Sequence, residues 1–456
     1  MFDRIQTVLL IVLIASSMVL STQIWLTPAG EAGPTDVMYS PPVIDTKTLP
    51  LSALLRPHAI VLFSPGEEEE EAGWEMVVRP GHDMYEAVWD DGAIMRRLFT
   101  GLRQQEIPAA VRDEPTAGIR FLYEVELALA DWMEVFQVRT PGEWPLAQVG
   151  EFHLFMTDDT LFLGADGMKA QVDLRVRYGL TEEMQALLAA VRDESRESAQ
   201  DEAWEYRPPE SFAGAMLRTS VLVPGHNVVP HYMYQESYDA EGIVEAIFFD
   251  HSVPRRIEER DGSVIYTDER RGVRIYPQAG WEYTAPLGSG AVKITTELEA
   301  LALAVAFTQH HGGISYDMRI SSLARHWHGD RESWVVGFSQ DVSGIAVTGS
   351  SSPIRVHVGP HGVEGYWRNL SFAAGPMRSD MHVIGPEDAL VSLTETLGFS
   401  DGRDDGGLAV DCLRLVYWRS QRDEDPPVVF PVWYARLRDG RRVVVDGHTG
   451  QVTLGW

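Results

Sequence analysis

Apolar residues follow two different rhythms along this chain. Near the start, Ile5 to Leu26 (IQTVLLIVLIASSMVLSTQIWL) is a run of 22 residues without a charge. As an α-helix it would span roughly 33 Å at ~1.5 Å per residue, close to the ~30 Å hydrocarbon core of a bilayer. Further on, the apolar residues fall into short alternations. These are punctuated by Asp-Gly at 91–92, 166–167, 261–262, 401–402, 405–406, 439–440 and 446–447. Asp-Gly between alternating apolar residues is a strong hairpin signal.

The same pattern predicts the elements of the body. Residues 82–105 read as helix, and strands are expected at 120–127, 152–156, 161–163 and 170–177. Thr181 opens a helical period with Met184, Leu187, Leu188 and Val191 on one face, ending in a charged stretch from Arg192 to Glu202. Two more helices stand among the later strands. One follows Thr296, with Glu299 completing a capping box and Leu298, Leu301 and Val305 on one face. The other starts at Gly385-Pro386, aligns Leu390, Leu393 and Leu397, and stops at Gly398. Their starts lie about 90 residues apart. Each is followed by four strand-like stretches: 315–321, 333–339, 354–358 and 363–367 after the first, then 413–419, 428–437, 441–445 and 451–454. The order predicts a duplicated unit of one helix and an antiparallel sheet.

The expected architecture is therefore α+β: an N-terminal transmembrane helix, then an extracytoplasmic multi-domain body of antiparallel sheets, each packed with one or two helices. The segments are an anchor over 1–30, a Pro-rich tether over 31–50, an α+β domain over 51–205, a middle α+β domain over 206–376 and a C-terminal α+β unit over 377–456.

Charge orients the anchor. Arg4 precedes the apolar run and no Lys or Arg follows until Lys47, so the N-terminus is expected in the cytoplasm and the body outside. A cleaved signal peptide is the rival reading. Its apolar core is shorter, about 7–15 residues, whereas here Gln23-Ile24-Trp25-Leu26 extends the run to spanning length. Ser17 and Ser21 are four apart and share a face on which a second membrane helix can approach closely; they are the candidate partner-binding residues.

Composition narrows the body's role. The net charge is -29, from 67 acidic and 38 basic residues, which repels nucleic acid. With 45% apolar residues and 13 Trp, the chain can bury cores. Its only cysteine, Cys412, rules out an intrachain disulfide and reads as a buried, inert thiol. The pairs His310-His311 and His326-Trp327-His328 invite a metal reading, but they lack the spacing of a zinc motif and read as polar loop or strand residues. No G-x-S-x-G, P-loop or G-x-G-x-x-G occurs. Asp158-Asp159 sits between two apolar strands, where a turn accounts for it. No catalytic, cofactor-binding or metal-binding residue is assigned, and no cofactor is expected.

The order of several short motifs resembles the YycH family of membrane-anchored bacterial regulators. They are Ile24-Trp25 at the close of the apolar run, Ala246 to Val253 (AIFFDHSV), Arg256-Ile257-Glu258, Val264 to Asp268, Gly272 to Ile275 and Trp281-Glu282-Tyr283 before Pro286. Leu415-Val416-Tyr417, Pro431-Val432-Trp433 and Val445 to Val452 look like the closing strands of YycI and PepSY-like modules. The resemblance implies a non-enzymatic regulator of a membrane sensor histidine kinase that governs cell-wall metabolism, working beside a YycI-like partner protein. This chain departs from that pattern in its acidity. Two other functions compete: a PepSY-like binding or protease-inhibitory module, and an envelope hydrolase with converging carboxylates.

Overall fold

A computed structural model describes residues 49–64, 74–80, 83–103, 118–139, 148–157, 160–166, 171–176, 204–206, 215–217, 221–223, 228–248, 254–277, 280–285, 293–315, 317–328, 331–349, 352–377, 382–398, 408–419, 428–439 and 441–454. These residues are α+β, with mostly antiparallel sheets and few helices. All belong to the unit Ile44–Trp456. The expected helix from Thr181 and the apolar run Ile5–Leu26 lie outside the described residues. Among the described residues no helix is long and apolar enough to cross a membrane.

The first sheet takes β1 (Ala59–Ser64), β2 (Trp74–Val78), β3 (Leu102–Arg103), β4 (Gly118–Ala128), β5 (Gln148–Thr157), β6 (Thr160–Asp166) and β7 (Gln171–Val176) in the order β2-β1-β4-β5-β6-β7-β3. Every pairing is antiparallel. With it go α1 (Leu51–Leu54), α2 (Asp83–Trp89), α3 (Ala93–Gly101) and α4 (Leu129–Val135). The strict alternation of β4 decides its two faces. Phe121, Tyr123, Val125 and Leu127 are buried, and Tyr123 joins an aromatic cluster with Trp89, Trp132 and Phe152 whose centroids lie 4.5–6.3 Å apart. The buried indole Nε1 of Trp132 donates to Val149 O at 2.9 Å, which satisfies its polar edge. Leu122 points the other way, onto Ala59, Val61 and Val77.

The helix expected over 82–105 is interrupted. A 3₁₀ turn at Asp90–Gly92 separates α2 from α3, and Leu102–Arg103 is already strand. Gly92 explains the break: its φ is +79°, and a Cβ there would lie 2.7 Å from the Phe136 ring. This Asp-Gly pair therefore ends a helix instead of forming a hairpin. The hairpin reading holds at 261–262, between the antiparallel strands Arg255–Glu258 and Val264–Thr267, with Gly262 at φ +83°.

The second sheet is larger. Its strands are β9 (Ala215–Leu217), β11 (His231–Gln235), β12 (Arg255–Glu258), β13 (Val264–Thr267), β14 (Gly272–Tyr276), β15 (Gly280–Thr284), β16 (Met318–His328), β17 (Arg331–Val342), β18 (Ile345–Thr348), β19 (Ile354–Gly359), β20 (Gly362–Arg368), β21 (Ser371–Pro376), β22 (Leu408–Arg419), β23 (Val428–Leu437), β24 (Arg442–Asp446) and β25 (Val452–Leu454). A separate pair is formed by β8 (Trp204–Tyr206) and β10 (Val221–Val223). Helices α5 (Ala240–Ile247), α6 (Glu297–His310) and α7 (Pro386–Leu397) accompany the large sheet.

The two helices expected downstream are present with their caps. Thr296 Oγ1 accepts from Glu299 N at 3.1 Å while the Glu299 carboxylate accepts from Thr296 N at 3.0 Å. The second helix has Pro386 in its first turn and ends at Gly398 in a left-handed conformation. Each helix precedes a long antiparallel hairpin and two shorter strands: β16-β17 then β19-β20, and β22-β23 then β24-β25. The registers correspond. Arg319 pairs with Ser339 and Arg414 with Tyr434, so each arginine faces the residue twenty positions further on. The two repeats merge into one sheet because β18, between β17 and β19 in the chain, pairs with β17 and also runs parallel to β22.

Candidate functional site

A cluster of buried, oppositely charged groups meets where the two sheets face each other. By alternation Glu124 shares the Leu122 face of β4, away from the aromatic cluster. Arg319 lies on β16 between the buried Met318 and Ile320, and so points to the opposite side from them. Arg414 lies on β22 between Leu413 and Leu415, which belong to the apolar core under α7. Both arginines thus leave the helix-packed side of their repeats and converge on one carboxylate. Arg414 Nη1 donates to Glu124 Oε1 at 2.5 Å, and Arg319 Nη2 lies 3.4 Å from the same oxygen. Arg319 is also paired with Asp341 on β17. The side chains of Glu124, Arg319 and Asp341 are 7%, 3% and 5% exposed; Arg414 reaches in from the rim at 37%.

Burial and charge act in opposite directions here. Burial alone raises the Glu124 carboxyl, but the Arg319 and Arg414 guanidiniums outweigh it and hold the group down at about 2. His58, next to β1, is pushed down to about 4 by burial, with Glu124 pulling the other way. Burial also lowers Arg79, just past β2, to about 10. Among the described residues, Glu124 Oε2, Arg319 Nε, Asp341 Oδ1 and Arg414 Nε meet no hydrogen-bond partner. A cavity of about 20 Å³ beside the junction, lined by Leu54, Arg56, Glu86, Trp89 and Met318, has room for one water.

This arrangement is a clamp. Its carboxylate stays ionised and bound to cations, so it neither accepts nor delivers a proton near neutral pH. What it does is tie the first sheet to the leading strand of each repeat at once. A second buried arginine has only a structural role. Arg368 donates to Glu236 Oε2 and Oε1 at 2.8 and 2.6 Å, to the carbonyls of Gly313 and Gly312 at 2.8 Å each, and to Tyr366 Oη at 3.3 Å. Gly312 is required: its φ is +109° and a Cβ would lie 2.8 Å from the Arg368 guanidinium.

The residues singled out from the sequence are scattered. Ser17 and Ser21 lie outside the described residues. His310 and His311 close α6, where the His311 ring stacks on Phe307 with centroids 4.0 Å apart and its Nδ1 lies 2.7 Å from Phe307 O. His326 and His328 both lie on β16. Among the described residues no group of three or more His, Cys, Asp or Glu is placed to share a metal ion. Asp158-Asp159 falls between Thr157 and Thr160, which pair directly across the β5-β6 hairpin. Cys412 is free and half-buried. The motifs from Arg256 to Tyr283 fall on the four consecutive antiparallel strands β12 to β15, and Val445 to Val452 is the turn joining β24 to β25.

The junction itself was not anticipated. The available signal was a lone charge inside an apolar alternation: Glu124 in Phe-Leu-Tyr-Glu-Val, Arg319 in Met-Arg-Ile, Arg414 in Leu-Arg-Leu. No family model matches the chain, and no curated protein matches it. The solved structure of an uncharacterized protein from Eubacterium rectale is similar over 56% of this chain and 94% of that one, at 13% identity and a TM-score of 0.36. A likeness at that level carries no argument about fold or function.

Proposed function

We propose that this chain is a non-enzymatic, membrane-anchored regulator that acts by contact. Ile5–Leu26 crosses the cytoplasmic membrane with the N-terminus inside, and the body stands on the outer face. The chain modulates a two-component sensor histidine kinase controlling cell-wall metabolism, through its membrane helix and through its body, beside a YycI-like partner. The observation that carries the reading is the uncharged 22-residue run ahead of a body whose leading repeat strands are clamped together through Glu124. A body held this way can pass a displacement to its anchor, and allosteric coupling asks only ~1–3 kcal/mol of differential contact. The order of the YycH-like motifs along β12 to β15 supports the choice of partner.

The test is recovery of partners from membranes with the anchor intact. A histidine kinase is expected in the purified complex, and deletion of the chain is expected to change cell-wall gene expression. Neither outcome appearing would overturn the reading. Exchanging Ile5–Leu26 for an unrelated spanning helix is expected to keep location and weaken regulation, with Ser17→Leu and Ser21→Leu reproducing part of that loss.

A further inference from the structure

Beyond Ile320, strand β16 runs along the rim of the large sheet. Its residues pair with β17 on one side, and among the described residues no strand pairs with the other. Ser322, Ala324, Arg325, His326 and Trp327 are exposed, with Trp327 at 59%. We propose that the outer edge of β16, from Ser321 to His328, docks an extended, carboxylate-rich segment of a partner protein, which joins the sheet as an added strand.

Two independent observations choose a strand as the occupant and fix its charge. The first is the second repeat. There β22 holds the position equivalent to β16, and its outer edge is covered at both ends by short parallel strands: β9 along Leu408–Val410 and β18 along Tyr417–Trp418. Among the described residues this edge thus gains added strands in one repeat and none in the other. Eight open residues offer roughly 26 Å of ladder at ~3.3 Å each.

The second is charge. In a chain of net charge -29, the eleven residues of β16 include Arg319, Arg325, His326 and His328 and no carboxylate. Arg325 covers the Trp327 ring at 5.3 Å and is paired with Glu332 of β17. On the opposite face, register sets His326 across from Ser333 and His357 across from Val335, two residues further along β17. A second copy of this chain paired edge to edge would set like charges against each other, which is how natural edges avoid self-association. A strand bearing Asp or Glu on alternate residues meets the Arg325 guanidinium on one face of the edge and the His326 ring on the other.

The inference names a surface for the contact reading above and rests on that reading only for its biological use. The test uses the full chain in detergent and three labelled eight-residue peptides: alternating Val-Glu, alternating Val-Lys and alternating Pro-Glu. The Val-Glu peptide is expected to bind at least tenfold more tightly than either other, and to slow amide hydrogen exchange within Ser321–His328. Arg325→Glu with His326→Glu is expected to weaken Val-Glu binding at least tenfold and to favour Val-Lys. An N-methylated Val-Glu peptide, tested on the unaltered chain, is expected to lose binding even if the double variant fails to fold. Equal binding of Pro-Glu would reduce the edge to a general anion site and overturn the proposal. So would binding of none of the peptides, or unchanged exchange in β16. Loss of the kinase from membrane complexes, with peptide binding intact, would count against the regulatory reading alone.

Discussion

In the second repeat the leading strand is closed in. β22 has β23 on one side and β9 and β18 on the other, and its core-facing residues Leu413, Leu415 and Tyr417 pack with Leu390 and Leu393 of α7. In the first repeat the leading strand is anchored at one end only. Met318 to Ile320 are buried beside the first sheet, while Ser322 onward faces solvent. Yet the arginines on these two strands sit at equivalent rungs and bind the same carboxylate. The two units therefore share the clamp and differ at their edges: among the described residues one leading strand is flanked on both sides and the other on one side only.

Removing the clamp separates what the repeats share from what they do not, and it has the largest expected effect. Glu124→Ala strips the carboxylate from Arg319 and Arg414 and is expected to cost about 3–5 kcal/mol in urea or thermal unfolding, the range for breaking a buried ion pair. Arg368 gives the contrast within the same sheet, because all of its donors are satisfied inside the second sheet. Glu236→Ala is expected to lose a similar amount without loosening the first sheet, so amide exchange in β4 should rise in the Glu124 variant alone. A loss below ~1 kcal/mol for Glu124→Ala would show that the two sheets are held by apolar contact and that the junction is incidental.

Acid probes the same junction through His58. Its folded value lies at about 4, below the ordinary 6.5, because burial favours the neutral ring. Between those values the unfolded chain binds the extra proton, so stability is full above pH ~6.5 and falls as pH drops towards 4. On the order of 2 kcal/mol is expected over that window, and His58→Gln should flatten it. Glu124, held down at about 2, adds a second loss below pH ~4.5 that His58→Gln leaves in place. A stability curve unchanged by His58→Gln between pH 4 and 6.5 would place the titrating group elsewhere.

Much of the architecture was legible in sequence. The helices at Glu297–His310 and Pro386–Leu397 carried their caps in plain view, and the alternation of β4, β5 and β23 marked them as strands. Local chemistry writes those signals. Other elements carried none. Leu129–Val135 is a short helix directly after an eleven-residue strand, and its helical period spans fewer than two turns. Strand β1, Ala-Ile-Val-Leu-Phe-Ser, is apolar on both faces, so no alternation separates it from buried helix. The junction was hidden for a different reason. Glu124, Arg319 and Arg414 are brought together by the facing of two sheets, and no spacing along the chain encodes that meeting. The open edge of β16 is equally a fact of topology: its Arg and His residues mark a polar strand, but only the pairing of its neighbours shows which side is open.

The helix caps sharpen the comparison between repeats on a smaller scale. α6 begins with a reciprocal capping box at Thr296 and Glu299, whereas α7 begins at Gly385, whose backbone is extended and which offers no side-chain acceptor. Thr296→Ala is expected to cost ~1 kcal/mol. Gly385→Ser fits the open space around that residue, where a Cβ would meet nothing closer than Asp388 at 3.9 Å, and is expected to gain a few tenths of a kcal/mol. Equal and opposite shifts of the unfolding midpoint would mean that the two helices contribute equally to a single cooperative unit.

The smallest expected effect bears most directly on the open edge. Trp327 is 59% exposed with the Arg325 guanidinium over its ring, while Trp433, on the closed repeat, is buried with its indole nitrogen donating to Ile384 O at 2.9 Å. A large aromatic side chain left in water contributes little to folding, so Trp327→Ser is expected to change stability by less than ~0.5 kcal/mol, whereas Trp433→Ala should cost ~3–5 kcal/mol. If Trp327 belongs to a docking edge, its removal weakens capture of the acidic strand while leaving the unfolding curve in place. A stability loss above ~1 kcal/mol would mean instead that Trp327 is packed within the protein, and that the edge of β16 is already covered.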